Sequence, residues 1–168
     1  AKAPADGYTV LAHSSAYAVN PALLGNPGFD AERDMIAIAV VAAQANLVIV
    51  HADFPARTLA ELISLAKKQQ LAFASPSSGT TPHLTGENLF RVRAGVDITH
   101  VPYRGAMFMD VIGGRVTIAV QNAGSILPVV REGKLRGLAV TSLNRSPNMP
   151  EFPTVAESGF PGFEAVSW

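Results

Sequence analysis

Cysteine is absent from the 168-residue chain, which excludes disulfide frameworks, thiolate nucleophiles and cysteine-ligated zinc but leaves the compartment open. Charge is scarce and balanced: thirteen Lys and Arg offset thirteen Asp and Glu, and no basic block appears along the chain. Nucleic acid and anionic membrane surfaces therefore find no field to bind. Long apolar runs are missing as well. The richest stretch, 36–50, is interrupted by Gln44 and Asn46 and falls short of the roughly 20 residues a bilayer span needs. No initiator Met and no charged-then-apolar leader opens the sequence, so we expect a fragment whose signal peptide, if any, lies outside it. What remains is 48% hydrophobic residues against 15% charged, the composition of a globular body with a sizeable core.

After the turn Pro4-Ala5-Asp6-Gly7, residues 8–13 have the composition of a strand that ends at Ser14-Ser15. A short helical piece is expected around 20–24, then a Gly/Asn/Pro turn ending near Asp30. The stretch 36–50 is too long for one ordinary strand. It reads as two strands, or preferably one long strand bent at 44–46 as it crosses between lobes. Thr58-Leu59-Ala60-Glu61 matches a capping box, and Leu59, Leu62, Ile63 and Ala66 share one face of the helix it would open, which should run to about Lys68.

Strand and helix then alternate. Strands are expected at 71–75, 98–101, 116–120 and 135–140, and helices from Pro82 to about Arg91, over 106–112 and over 125–132. Short strands joined by helical crossovers imply an α/β fold with a mainly parallel sheet, helices on both faces, and ligands beyond the carboxyl ends of the strands. The proline-rich 146–154 reads as an extended connector, 155–158 as a short helix, and 163–168 as the start of another strand.

Ser75-Pro76-Ser77-Ser78-Gly79-Thr80-Thr81-Pro82 is the most informative segment. A strand, a hydroxyl-rich loop with a glycine, and a helix start gather amides and hydroxyls around one point, which suits an anion. Without Gly-Lys-Ser/Thr or G-x-G-x-x-G, a carboxylate fits better than a nucleotide phosphate. The plain alternative is an ordinary Thr81 N-cap. Ser14 and Ser15 offer hydroxyls from another side or simply form a turn. Tyr103, after His100-Val101-Pro102, stands at the carboxyl end of a further strand, where it lines a pocket or packs beside a proline-fixed turn, and Gln121 with Asn122 hold the corresponding end of the next strand, where neutral amides orient a ligand without adding charge. A serine hydrolase built on Ser77 or Ser78 with His83 lacks both an orienting acid and a G-x-S-x-G elbow. The four histidines are scattered without metal-ligand spacing, so no metal is assigned.

Taken in order, Ala5-Asp6-Gly7-Tyr8-Thr9, Asn20-Pro21-Ala22-Leu23, Ser78-Gly79-Thr80-Thr81-Pro82-His83-Leu84, His100-Val101-Pro102-Tyr103-Arg104-Gly105, and Leu138-Ala139-Val140-Thr141-Ser142 with Pro153-Thr154-Val155-Ala156-Glu157 form a set. The set resembles the Bug-type extracytoplasmic solute receptors of tripartite tricarboxylate transporters across essentially the whole chain. The resemblance implies a two-lobed, type II periplasmic-binding-protein-like fold. Residues 1–46 would be part of the first lobe, 47–163 the second lobe, and 164–168 a return strand. It further implies a periplasmic receptor that captures a small carboxylate and hands it to membrane transporter subunits, with no catalysis and no cofactor.

By the same resemblance, Ser77, Ser78, Gly79, Thr80 and Thr81 form the second lobe's carboxylate cradle, Ser14 and Ser15 part of the first lobe's wall, and Tyr103, Gln121 and Asn122 the pocket side. The chain departs from the family pattern in three ways. It lacks the family's opening strand with its Pro/Gly-rich loop and the elements after Trp168; it is about two residues short after Gly105; and it has Gln121 where an acidic residue is common. With sheet edges uncovered, self-association is expected. The rival readings are an effector-binding module of a transcription regulator, which shares this architecture, and the hydrolase.

Overall fold

A computed structural model describes residues 2–25, 28–105 and 107–168 of the chain. Asn26 and Pro27 of the expected turn, and Ala106 at the expected start of a helix, lie outside the described residues.

A five-strand path forms the centre: β1 (Gln44–His51), β2 (Leu71–Ser75), β3 (Ile98–Pro102), β4 (Ile118–Asn122) and β5 (Leu135–Val140), in the order β3-β2-β4-β1-β5. The two-residue β6 (Val166–Ser167) pairs antiparallel with the start of β1. β2 runs parallel to β3 and β4, while β1 is antiparallel to both β4 and β5. Four of the five strands thus point the same way, as their helical crossovers require, and β1 alone runs against them.

Among the described residues there are five α-helices: α1 (Ala16–Leu24), α2 (Leu59–Ala66), α3 (Thr81–Glu87), α4 (Met107–Ile112) and α5 (Ala123–Arg131). The period-2 geometry of a strand sends alternate residues to opposite faces. Val48 and Val50 of β1, Phe73 of β2 and Ile118 and Val120 of β4 pack with Leu59, Leu62, Ile63 and Ala66 of α2. Leu47, Ile49, Ala74 and Ala119 pack on the other face with Met107 and Val111 of α4 and Ala123 and Ile126 of α5. Helices therefore cover both faces of the sheet, and the predicted apolar stripe of α2 is the buried one.

The Thr58 hydroxyl accepts the Glu61 amide at 3.2 Å, as a capping box requires. The Glu61 carboxylate reaches one residue further back than the motif expects, accepting the Arg57 amide at 2.6 Å.

Several expectations are corrected. Residues 8–13 form no strand, nor do 36–43, so only the second half of the long apolar stretch is β. Tyr8, Ile36 and Val41 are at least 90% exposed. A β-rich segment becomes a strand only by pairing, and neither segment has a partner strand among the described residues. The N-cap of α3 is Thr80, with Thr81 the first helical residue and Pro82 in the first turn, and beyond Glu87 the helix continues as a π-helix over Asn88–Arg93. β4 starts two residues later than predicted because the Arg115 and Val116 amides fold back onto the Asp110 carbonyl at the end of α4. Residues 155–158 form a hydrogen-bonded turn and no helix.

Candidate functional site

Because β2, β3 and β4 are parallel, their carboxyl ends share one edge of the sheet, and antiparallel β1 brings its amino end to the same edge: Asn46 stands opposite Asn122. The Tyr103 amide donates to the Ser75 carbonyl at 2.9 Å, fixing the exits of β2 and β3 side by side. The loop 77–81, Tyr103, and Gln121 with Asn122 are thus assembled along one rim from three separate stretches of sequence.

In the loop, the Thr80 hydroxyl donates to the Ser77 carbonyl at 2.8 Å, so it does not cap α3. The Gly79 amide donates to His83 Nδ1 at 3.0 Å. The amides of Ser78, Thr80, Thr81 and His83 have no protein acceptor among the described residues. Gly79 adopts φ 77°, a left-handed conformation that glycine takes without strain, and a Cβ there would lie 2.9 Å from Leu23 Cδ1 of α1. The result is a half-buried loop of open donors, with no cation among its residues.

Ser15 comes to this loop from across the fold, its hydroxyl bonded to that of Thr81. It is the N-cap residue of α1 but makes no side-chain cap there, and its amide donates to the Trp168 carbonyl at 2.8 Å. Ser14 plays a turn role: it is exposed, its carbonyl accepts the Tyr17 amide and its hydroxyl the Ala16 amide at 3.4 Å.

Tyr103 is committed elsewhere. Its hydroxyl donates to Asp110 Oδ2 at 3.0 Å, and Arg115 binds the other carboxylate oxygen at 2.6 Å. Burial and the carboxylate beside it raise the phenol's pKa, while Arg115, followed by Tyr103, lowers that of Asp110. Gln121 is buried, and its Oε1 accepts the Asn122 amide at 2.8 Å, which leaves its amide nitrogen with no protein acceptor among the described residues.

Beneath the rim, Asn122 joins a polar cluster whose other members, Asn46, Thr85, Thr141 and Ser167, composition and motif spacing did not single out as site residues. Asn46 is fully buried; its Nδ2 donates to Thr85 Oγ1 at 3.0 Å and its amide to Thr141 Oγ1 at 2.8 Å. The Ser167 hydroxyl bonds to Asn122 Oδ1 at 2.9 Å and reaches Asn46 Oδ1 at 3.4 Å. One asparagine therefore ties β1, α3, β6 and the exits of β4 and β5 together. The one available clue was a polar residue interrupting an apolar strand.

His51 bonds the Ile112 carbonyl at 3.1 Å, and no group of residues able to hold a metal ion occurs among the described residues. Neither Ser77 nor Ser78 bonds to His83. The Ser–His pair that does exist, Ser75 with His100 at 2.7 Å, has a fully buried serine and no acid on the imidazole.

The family described as tripartite tricarboxylate transporter family receptor, TctC, matches this chain over residues 1–168. The chain belongs to that family. Among its relatives is the UPF0065 protein of the tcbD-tcbE intergenic region in a Pseudomonas species, 36% identical over all of this chain and 51% of its own length. Rpa4515 of R. palustris, solved with adipate, is 37% identical with a TM-score of 0.92, covering 99% of this chain and 57% of that one. The periplasmic binding protein BugD is 30% identical with a TM-score of 0.89, covering 99% and 57%. The chain thus spans about half the length of the relatives it matches. Its sheet with helices on both faces is the lobe architecture of TctC and Bug receptors.

Proposed function

We propose that the chain is the ligand-gripping part of a periplasmic solute receptor, with residues 47–163 as one lobe, 1–46 as part of the other and 164–168 as the returning segment. It captures a small carboxylate for the membrane subunits of a tripartite tricarboxylate-type transporter and performs no catalysis. The observation that supports this reading is the set of unmatched amides at Ser78, Thr80, Thr81 and His83 beside the Ser15 and Thr81 hydroxyls. A carboxylate only accepts hydrogen bonds, and charge-assisted bonds from such donors hold it without an arginine. Adipate, the ligand of the R. palustris relative, is a dicarboxylate of this kind.

Gln121 narrows the ligand class. A buried ammonium without a carboxylate partner costs roughly several kcal/mol, so a neutral amide at this position selects amine-free acids. Calorimetry on the complete protein with succinate against aspartate, and glutarate or adipate against glutamate, tests both statements. Binding of the amine-free acids, weakened by Thr81→Val and by Gln121→Asp, is the expected result. Failure of every carboxylate to bind overturns the receptor reading, and tighter binding of the amino acid in each pair overturns the selectivity.

A further inference from the structure

We propose that His83 and His100 are positioning residues that hold the carboxylate-binding loop in shape as a neutral stacked pair, with His83 its proton-sensitive member. The proposal rests on the reading of loop 77–81 given above. The two rings stack with centroids 3.9 Å apart and planes 25° from parallel, and Phe73 closes the stack against His100 at 4.9 Å.

Each imidazole holds one end of the loop. His83 Nδ1 faces the Gly79 amide at 3.0 Å. A backbone amide only donates, so Nδ1 carries no proton and the neutral ring has its hydrogen on Nε2. His100 Nε2 bonds Ser75 Oγ at 2.7 Å, and that hydroxyl donates to the Ser77 carbonyl at 3.2 Å. With the serine proton directed to Ser77, His100 is the donor of its pair, and a second proton enters at Nδ1 without disturbing Ser75. His83 has no such freedom. A proton added to it enters at Nδ1, where it replaces the acceptor of the Gly79 amide with another donor. The loop then loses its hold at the glycine, while Leu23 and Asn20 of α1 close the opposite side.

The charged groups around the pair are few. On α3, Glu87 Oε1 lies 3.9 Å from His83 Nε2 and favours the imidazolium, but the same carboxylate also binds Arg91 at 3.1 Å. Arg91, in the π-helical segment, opposes charge on His100 and is itself near Asp97 at 3.7 Å. From β3, His100 faces His83 directly, so a charge on either ring disfavours one on the other. Burial moves both imidazoles below their ordinary pKa, His83 against the pull of Glu87 and His100 to about 4.

The test uses the complete protein and the variant His83→Asn, whose Oδ1 supplies an acceptor at the place of Nδ1 and does not titrate. Adipate affinity is measured for both by calorimetry from neutral pH downward, so that protonation of adipate cancels in the ratio. The wild type should weaken relative to the variant by about tenfold one pH unit below the His83 pKa, since only the neutral fraction binds. In parallel, nuclear magnetic resonance of the wild type should show His83 Nδ1 unprotonated at neutral pH and the Gly79 amide shift following His83 titration. A flat affinity ratio, a proton on Nδ1, or a Gly79 amide indifferent to the titration overturns the proposal. If neither protein binds adipate, the choice of that ligand fails, and the coupled titration of His83 and Gly79 still decides the role of the pair.

Discussion

The hydroxyls of Ser15 and Thr81, 66 residues apart in sequence, are hydrogen-bonded to each other. Through them the start of α1 is held to the start of α3, and the bond uses the side chain that would otherwise cap α1. A net contribution of about 0.5–1.5 kcal/mol is typical for such a bond. A double-mutant cycle with Ser15→Ala and Thr81→Val should give a coupling energy of that size in urea denaturation. Strict additivity of the two single variants would show that the contact contributes nothing in solution.

Gly86 is placed so that a Cβ would sit 2.2 Å from Cε2 of the fully buried Phe73 ring. Alanine is the better helix former, but here overpacking outweighs propensity, and Gly86→Ala should cost about 1–3 kcal/mol. Trimming the ring with Phe73→Leu should recover part of the loss caused by the added methyl. Thermal unfolding of the two single variants and the double variant checks this; a Gly86→Ala protein as stable as wild type would contradict the packing.

Asn46 is another position where one atom group serves several elements. Asn46→Ala removes partners from Thr85 and Ser167 together and should destabilise by about 1–3 kcal/mol, through desolvated groups left without a bond. Asn46→Leu, closer in volume, should not rescue it, because the lost bonds and not the cavity dominate. Denaturant midpoints of the two variants decide between bonding and volume.

Acid should weaken the fold through His100. Its pKa is about 4 in the folded chain, against an ordinary value of 6.5, so in that window the unfolded state binds more protons than the native one. The neutral ring's contribution is complete above about pH 6.5 and is lost as the pH falls toward 4. Urea midpoints measured across that interval should drop with acidity, and the drop should shrink in His100→Gln. A wild-type midpoint that is level from neutral pH to 4 would refute the assignment.

The elements of the lobe were legible where local rules and burial agree. Leu59, Leu62, Ile63 and Ala66 were readable as one face because a crossover helix buries a single stripe, and β2 and β5 have the predicted bounds. The reversal of β1 was not legible: Leu47, Ile49 and their neighbours are buried on both faces, and a strand buried on both sides reads the same in either direction. Residues 8–13 and 36–43 carry strand composition without strand pairing, a matter of partners and not of propensity. At the rim, loop 77–81 was visible through its hydroxyls and glycine, whereas Asn46 and His100 entered the site only through register and stacking.

β1 is an interior strand although it is the first of the five main strands to be synthesised, and its neighbours β4 and β5 end at Asn122 and Val140, roughly 70 and 90 residues later. At about 5–20 residues per second, the nascent chain carries Leu47, Val48, Ile49 and Val50, all fully buried in the finished fold, for several seconds before β4 pairs one side of the strand, and for longer before β5 pairs the other. Its long-range pairings also raise the contact order and slow refolding. Chains stalled on the ribosome before β5 emerges should be cut by protease within β1, and those stalled well after it should resist, which makes the arrival of β5 the step that commits this lobe to its fold.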